Sequence, residues 1–401
     1  MDFAIDSATQ QRIEKLQELG REHMRPLGIE ADKLGRPTPP DHPYFEKLVA
    51  MGYGRTRYKG RKGQDDTPVK SADKNKAKKR ARSRASLLLS EEMSYWDRGV
   101  AVSAPGPGLG EGAIMSMGTE DQKERYLSPF IKLDKPRWGA FAMTEPAAGS
   151  DVAGIQTRAI KDGDNWVLIG NKSFSGNSSR SDFILVWATV DPSLGRGGHR
   201  AFLVERGMPG LQDFHIEKKM GLKAYESTSF RLEECRVPGE NLLGGEAYYE
   251  SRAGFKGAMA TFNATRPLIA AMAVGIGRSA LDESLAFARE NQMLDDSRVR
   301  DRLERVTRKL RVARLLCLKA AWLADNQRPN IVEASMSKAV APTAAFEATS
   351  FGMELLGMVG GRGDHLIEKL FRDVKAMDIV EGTGQIQRVV MARQLVGLPH
   401  G

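Results

Sequence analysis

Apolar residues recur at helical spacing from Ile5 to Met24, and an apolar and acidic run follows from Ser86 to Tyr95, so both stretches are predicted helices. A third helix opens at Thr119. There Thr119-Glu120-Asp121-Gln122 has the form of a capping box, in which the threonine oxygen takes a backbone N–H and the glutamine side chain reaches back. From Arg137 the texture changes. The segments WGAFAMT, NWVLIGNKSFS, DFILVWATV, HRAFLVE and STSFRLEECRV are rich in β-branched and aromatic residues, and turn pairs such as Asp162-Gly163 and Pro238-Gly239 separate several of them. No crossover helix is visible between them, which predicts an antiparallel β unit. After Gly245 the helical period returns. Val299, Leu303, Val306, Leu310, Ala313, Cys317, Ala320 and Ala324 alternate steps of four and three, a seam for packing against neighbouring helices.

The expected fold class is therefore α+β in three parts. These are an N-terminal helical domain (1–136), a middle antiparallel β-barrel or sandwich domain (137–245) and a C-terminal helical bundle domain (246–401). A chain of 401 residues is also too long for one simple core. No run approaches the ~18 apolar residues of a membrane span. The amphipathic, mixed-charge start lacks the marks of a signal peptide. Cys235 and Cys317 make no disulfide framework, so a reducing, cytoplasmic location is expected. The net charge of +9 is local: Arg55 to Arg84 hold thirteen Lys or Arg against three Asp, which leaves about −1 for the rest. That stretch, KNKAKKRARSR in its densest part from Lys74 to Arg84, reads as a solvated run or as an attractor of anionic partners.

Two segments can carry chemistry. In Phe141-Ala142-Met143-Thr144-Glu145-Pro146-Ala147-Ala148-Gly149-Ser150-Asp151 a strand runs into small residues that let a ligand approach the backbone, with hydroxyls as donors. In Ile379-Val380-Glu381-Gly382-Thr383-Gly384-Gln385-Ile386-Gln387-Arg388 an acid beside apolar residues stands on a loop before a helix, where partial desolvation would poise it as a base. Taken singly, each reads equally as a capped turn. Gly106-Pro107-Gly108-Leu109-Gly110 follows no clear strand and has the wrong spacing for a dinucleotide fingerprint; it reads as an irregular turn that could border an acyl pocket.

Together the two segments resemble the acyl-CoA dehydrogenase family of the short- and medium-chain type. TEPAAGSD is similar to the family's TEP-x-AGSD signature, and EGTGQIQR to its EGT-x-QIQR signature. Ala253-Gly254-Phe255-Lys256 and Thr265-Arg266-Pro267 resemble a third family stretch between them. The resemblance implies a C-terminal four-helix bundle and FAD between the β domain and the bundle. The reaction it implies is α,β-dehydrogenation of an acyl-CoA thioester to the trans-2-enoyl-CoA, with electrons passed to electron-transfer flavoprotein. It gives Glu381 the role of base. Phe141, Met143, Thr144, Phe174, Ser175, Gly176, Gly382, Thr383, Gln385 and Arg289 go to the flavin, and Ser150, Asn263 and Arg266 to the substrate. Some relatives carry their base directly before the arginine; here that residue is Thr265, which favours Glu381. No metal is expected.

Several positions depart from the family pattern. Gly176 lacks the hydroxyl expected beside the flavin ring, and Asn263 replaces an aspartate. In the half-site that relatives offer to a neighbour's flavin, Arg289 survives without the following Phe-Gly, Glu354 stands for an amide, and Met358 for a small residue. A homo-oligomer, dimer or tetramer, is expected; a heterotetramer with a related subunit is the alternative that would explain these losses. A second function class, the same fold acting as a nucleic-acid-binding or partner subunit, rests on Lys74 to Arg84, and an intact Glu381 loop argues against it.

Overall fold

A computed structural model describes residues 3–61, 82–250 and 254–397, apart from the side chains of 254–264. Most of the basic run from Lys74, and the side chain of Asn263, lie outside the described residues. Asp6 caps helix α1 (Ser7–Leu19) by accepting the Thr9 N–H at 2.7 Å. The helix passes through one π turn, Gly20–Met24, into α2 (Arg25–Leu34), and α3 (Pro43–Ala50) follows. Helix α4 (Arg82–Ser103) contains a break at Asp97, with φ −164° and ψ 115°. After α5 (Gly110–Met117) comes α6 (Glu120–Leu127), where both halves of the Thr119/Gln122 capping box form. The glycine-rich turn before α5 lies against the strand start: the Gly139 N–H donates to the Gly106 carbonyl at 2.8 Å.

Seven strands form the middle sheet: β1 (Gly139–Ala142), β2 (Arg158–Asp162), β3 (Asn165–Gly176), β4 (Phe183–Thr189), β5 (His199–Glu205), β6 (Leu211–Ile216) and β7 (Ser227–Pro238). The order is β1-β4-β2-β3-β7-β6, with β5 also on β4. Most pairs are antiparallel, as expected. However, β1 runs parallel to β4 in the register Gly139↔Phe183. The β2–β3 hairpin between them supplies the crossover that parallel strands need. Strand β4, FILVWAT, is buried at every position because it has neighbours on both edges and helices and strands over both faces. Strands β2 and β6 escape the sequence pattern because they are mostly exposed and carry no alternating apolar face.

Beyond the short α7 (Glu246–Glu250) four long helices pack together: α8 (Gly254–Glu290), α9 (Ser297–Asp325), α10 (Ile331–Leu356) and α12 (Leu366–Ile379), with a single turn α11 (Met358–Gly361) before the last. Helix α13 (Gly384–Val396) lies on α10. The predicted seam on α9 is buried from Val306 to Ala320, but Ala324 is exposed and Leu323 is buried in its place. A 3.5-residue repeat drifts about 20° per heptad on a straight helix, enough to carry its last member off the interface. No helix among the described residues is long and apolar enough to cross a membrane.

Candidate active site

Helix α12 ends where the Val380 N–H donates to the Ala376 carbonyl at 3.0 Å. Glu381 (φ 55°) and Gly382 (φ 94°) are then both left-handed, which reverses the chain. Thr383 starts α13, its Oγ1 accepting the Ile386 N–H at 3.3 Å. Glycine takes this conformation freely; for a glutamate it costs roughly 1–3 kcal/mol, and such strain persists where surrounding structure enforces it. Two donors enforce it here. Lys338, fully buried in α10, and Gln387, buried in α13, donate to the Gly382 carbonyl at 3.2 and 3.1 Å.

The reversal turns the Glu381 carboxyl inward. Its Oε2 is buried and has no hydrogen-bond partner, while Thr265 hydrogen-bonds to the carboxyl. Arg98 from α4, Lys338 from α10 and Arg266 from α8 bring positive charge to it. Burial nevertheless dominates and raises the carboxyl above its ordinary range. Burial also acts on the neighbours: the Arg98 guanidinium is pushed down to about 10, the Tyr225 phenol up to about 12 and the Lys338 ammonium down to about 8. A carboxylate with heightened proton affinity and one unengaged oxygen is suited to accept a proton from carbon.

A second wall is built by the sheet. Between Lys172 and Ser175 the register of β3 against β7 slips, and Phe174 sits in the bulge at φ 55° and is 65% exposed as a residue. An aromatic residue in this strained conformation with its face open is a platform for a flat apolar group. Ser175 fixes the bulge: its hydroxyl donates to the Phe141 carbonyl at 2.8 Å and meets Ser178 at 2.5 Å. The space a side chain at Gly176 would take is filled by Tyr225, from the turn before β7, whose phenolic oxygen lies 1.4 Å from where a Cβ on Gly176 would be. Tyr225 also feels the Arg98 and Glu381 charges, so it joins this wall to the carboxyl.

The signature loop after β1 hangs from a buried ion pair. Glu145 accepts the Gln156 and Thr157 N–H groups at 2.6 and 3.0 Å and Lys172 Nζ at 2.6 Å. Burial alone would raise the Glu145 carboxyl, but Lys172 and these donors outweigh it and hold it below the ordinary range. The Met143 carbonyl also accepts from Lys172, and the Thr144 carbonyl accepts the Ser173 N–H at 2.9 Å. Gly149 and Ser150 are exposed at the loop tip, and so is Gln385 at the start of α13.

The structure thus gathers Glu381, Gly382, Arg266 and the β3 wall. It does not bring Arg289 to them: at 1.5 Å per residue along α8, Arg289 stands about 35 Å from Arg266. Arg98, Tyr225 and Lys338 carried no sequence signal beyond charge or aromaticity. The one available hint was a lysine among the small apolar residues around it in α10.

The residues present suit a flavin: an open aromatic platform, donors and small residues on a loop beside it, and an acid with a buried, unengaged oxygen. Comparison with known proteins agrees. Residues 140–235 match the model of the acyl-CoA dehydrogenase middle domain, and residues 252–396 that of the acyl-CoA dehydrogenase C-terminal domain. The probable acyl-CoA dehydrogenase FadE25 of Mycobacterium tuberculosis is 34% identical over 318 residues, spanning 78% of this chain and 80% of that one. The structure of butyryl-CoA dehydrogenase from Megasphaera elsdenii superposes with a TM-score of 0.85 at 28% identity, covering 99% of this chain and 100% of that one. A chain from the structural work on the electron transferring flavoprotein of Acidaminococcus fermentans gives 0.83 at 30% identity, with 99% and 100% covered. The chain belongs to the acyl-CoA dehydrogenase family and is, with that family, an FAD-dependent oxidoreductase.

Proposed function

We propose that this chain oxidises an acyl-CoA thioester across its α,β bond, with Glu381 as the base that removes the α-proton and electron-transfer flavoprotein as the electron acceptor. The observation that carries the reading is the Glu381 carboxyl. It is held on a strained reversal, with its Oε2 buried and unengaged and three cations around it. FAD, when bound, supplies the acceptor for the β-hydride. The chain's own residues do the rest. Lys338 and Gln387 fix the loop through the Gly382 carbonyl. Arg266, Arg98 and Lys338 favour the ionised carboxylate, and burial makes it basic enough to act. In this reading Phe174, Ser175, Phe141, Met143, Thr144 and Thr383 form the flavin side, and Ser150 with Asn263 meets the CoA arm.

Arg289 would then serve the flavin of a neighbouring copy in a homo-oligomer. Glu354, which stands near the same end of the bundle, is paired with Arg302, so its charge is matched within the chain. That pairing supports a homo-oligomer over a heterotetramer. The nucleic-acid-binding alternative rests on the basic run, most of which lies outside the described residues.

The test is Glu381→Gln in FAD-loaded protein. The amide keeps size and hydrogen bonding but cannot accept the proton. Acyl-CoA should still perturb the flavin spectrum, while anaerobic flavin reduction falls by on the order of 10²–10⁴-fold. Reduction at the wild-type rate would move the base elsewhere.

A further inference from the structure

Lys369 is a buried lysine that proton removal does not use. It stands on α12, the helix that ends at the Glu381 reversal. Its Nζ donates at 2.6 Å to Asp97, at the break in α4, and at 2.5 Å to Asp373, one turn further along α12. Both aspartates are buried as well. Each also holds a backbone donor: Asp97 takes the Val100 N–H at 2.9 Å, and Asp373 takes the Leu222 N–H at 2.6 Å.

Those backbone donors show which parts of the chain are tied together. The Val100 bond restarts α4 beyond its break. It thereby fixes the segment that carries Arg98, a cation on Glu381 with a buried Nε that has no hydrogen-bond partner. Leu222 opens the turn that carries Tyr225, and its carbonyl accepts the Tyr225 N–H at 3.1 Å. This turn lies directly on α12. A Cβ on Gly221 would fall 2.6 Å from the Arg372 carbonyl carbon and 2.7 Å from the Asp373 nitrogen. Arg372 adds a bond to the Met220 carbonyl at 2.6 Å. The α4 break, α12 and the turn before β7 therefore meet at one ammonium group, and they bear Arg98, Glu381 and Tyr225. An apolar cluster could also join them, but hydrophobic burial is non-directional and would let them slide. An ammonium with two fixed carboxylate partners sets both distance and direction, at the cost of desolvating three charges.

We propose that Lys369 is a positioning residue for the dehydrogenation. It holds the helix that ends at Glu381 in register with the turn that carries Tyr225 and with the α4 break, and so fixes where the carboxyl stands. The inference rests on the dehydrogenase reading above. Lys369 itself does not reach the carboxyl, since about 15 Å of helix separates it from the end of α12.

The experiment compares Lys369→Met, Asp97→Ala and Asp97→Asn with wild type, all FAD-loaded and folded by circular dichroism at the assay temperature. Butyryl-CoA, octanoyl-CoA and isobutyryl-CoA are the probes. Lys369→Met and Asp97→Ala should lower the limiting rate of anaerobic flavin reduction by roughly 10²-fold, as a misplacement of about 1 Å does. Flavin content and acyl-CoA affinity should stay close to wild type. Asp97→Asn keeps an acceptor oxygen in place and should recover most of the rate. If Lys369→Met does not fold, the two Asp97 variants decide, because Asp97→Ala leaves Lys369 and Asp373 as a balanced pair.

The pH profile separates positioning from charge. Lys369→Met removes a positive charge and Asp97→Ala a negative one, so a direct field would move the pH midpoint of reduction in opposite directions. The groups facing the carboxyl, Arg98, Lys338, Arg266, Thr265 and Tyr225, are kept in both variants. Loosening the contact admits water to Glu381 and should lower both midpoints. Opposite shifts overturn the inference, and so do folded variants that reduce flavin at the wild-type rate; the dehydrogenase reading stands in either case. A loss of bound flavin as large as the loss of rate marks a merely structural role and also overturns it. A wild type that none of the probes reduces overturns the dehydrogenase reading, and this inference with it.

Discussion

The hydroxyl of Tyr225 stands where a side chain at position 176 would project. A Cβ on Gly176 would lie 1.4 Å from the phenolic oxygen and 2.4 Å from the ring carbon that bears it. The two positions have exchanged roles: a glycine on the strand makes room for a phenol from the turn before β7. Gly176→Ala should therefore cost about 1–3 kcal/mol through overpacking. Adding Tyr225→Ser should recover most of that loss, because the second change removes the clashing group. Urea unfolding of the two single variants and the double variant measures the coupling; additive losses would contradict it.

Lys369 binds two buried aspartates at once, Asp97 at the α4 break and Asp373 on its own helix. Lys369→Met would leave two like charges buried together. It should cost about 3–5 kcal/mol at neutral pH. The sign of the pH dependence follows. Burial raises the proton affinity of Asp373, and without the ammonium nothing offsets it, so the variant loses stability as pH rises and approaches the wild type in acid. Thermal unfolding at several pH values tests this, and a deficit that does not change with pH would contradict it.

The Glu145–Lys172 pair supports the loop from Thr144 to Thr157. Lys172→Met leaves the Glu145 carboxylate buried with only its two backbone donors, and should cost about 3–5 kcal/mol. Glu145→Gln in the same chain should restore part of it by removing the uncompensated charge. Because the loop also forms one side of the flavin site, bound flavin per chain, read from absorbance, should fall in the single variant more than in the pair.

Burial raises the Glu381 pKa, and this fixes two further slopes. Flavin reduction requires the ionised carboxyl, so its rate should rise with pH through a pKa above the ordinary carboxylate value of about 4.3. Stability moves the other way. The folded chain holds this proton more tightly than the unfolded chain, so the stability it contributes is full below the unfolded pKa and is lost as pH rises through the folded one. Apo Glu381→Gln, which cannot ionise, should unfold at higher temperature than wild type at neutral pH, and the gap should close in acid. A gap that widens in acid would contradict the assignment.

The sequence by itself determined the local features. The Thr119/Gln122 box formed as written, because both of its hydrogen bonds lie within four residues. Five strands were legible because buried faces demand β-branched and aromatic runs; β2 and β6 were not, because little of either is buried. The Glu381 turn was legible because its strain, its glycine and its helix cap are neighbours in the chain. Tertiary structure alone decided what surrounds that carboxylate. Arg98, Tyr225, Arg266 and Lys338 come from α4, the turn before β7, α8 and α10, and their proximity depends on how the sheet and the bundle pack. Each is an ordinary surface type in sequence. Their shifted ionisation, the unused donor of Arg98 and the phenol seated on Gly176 arise from burial, which is a property of the packed chain and has no local pattern.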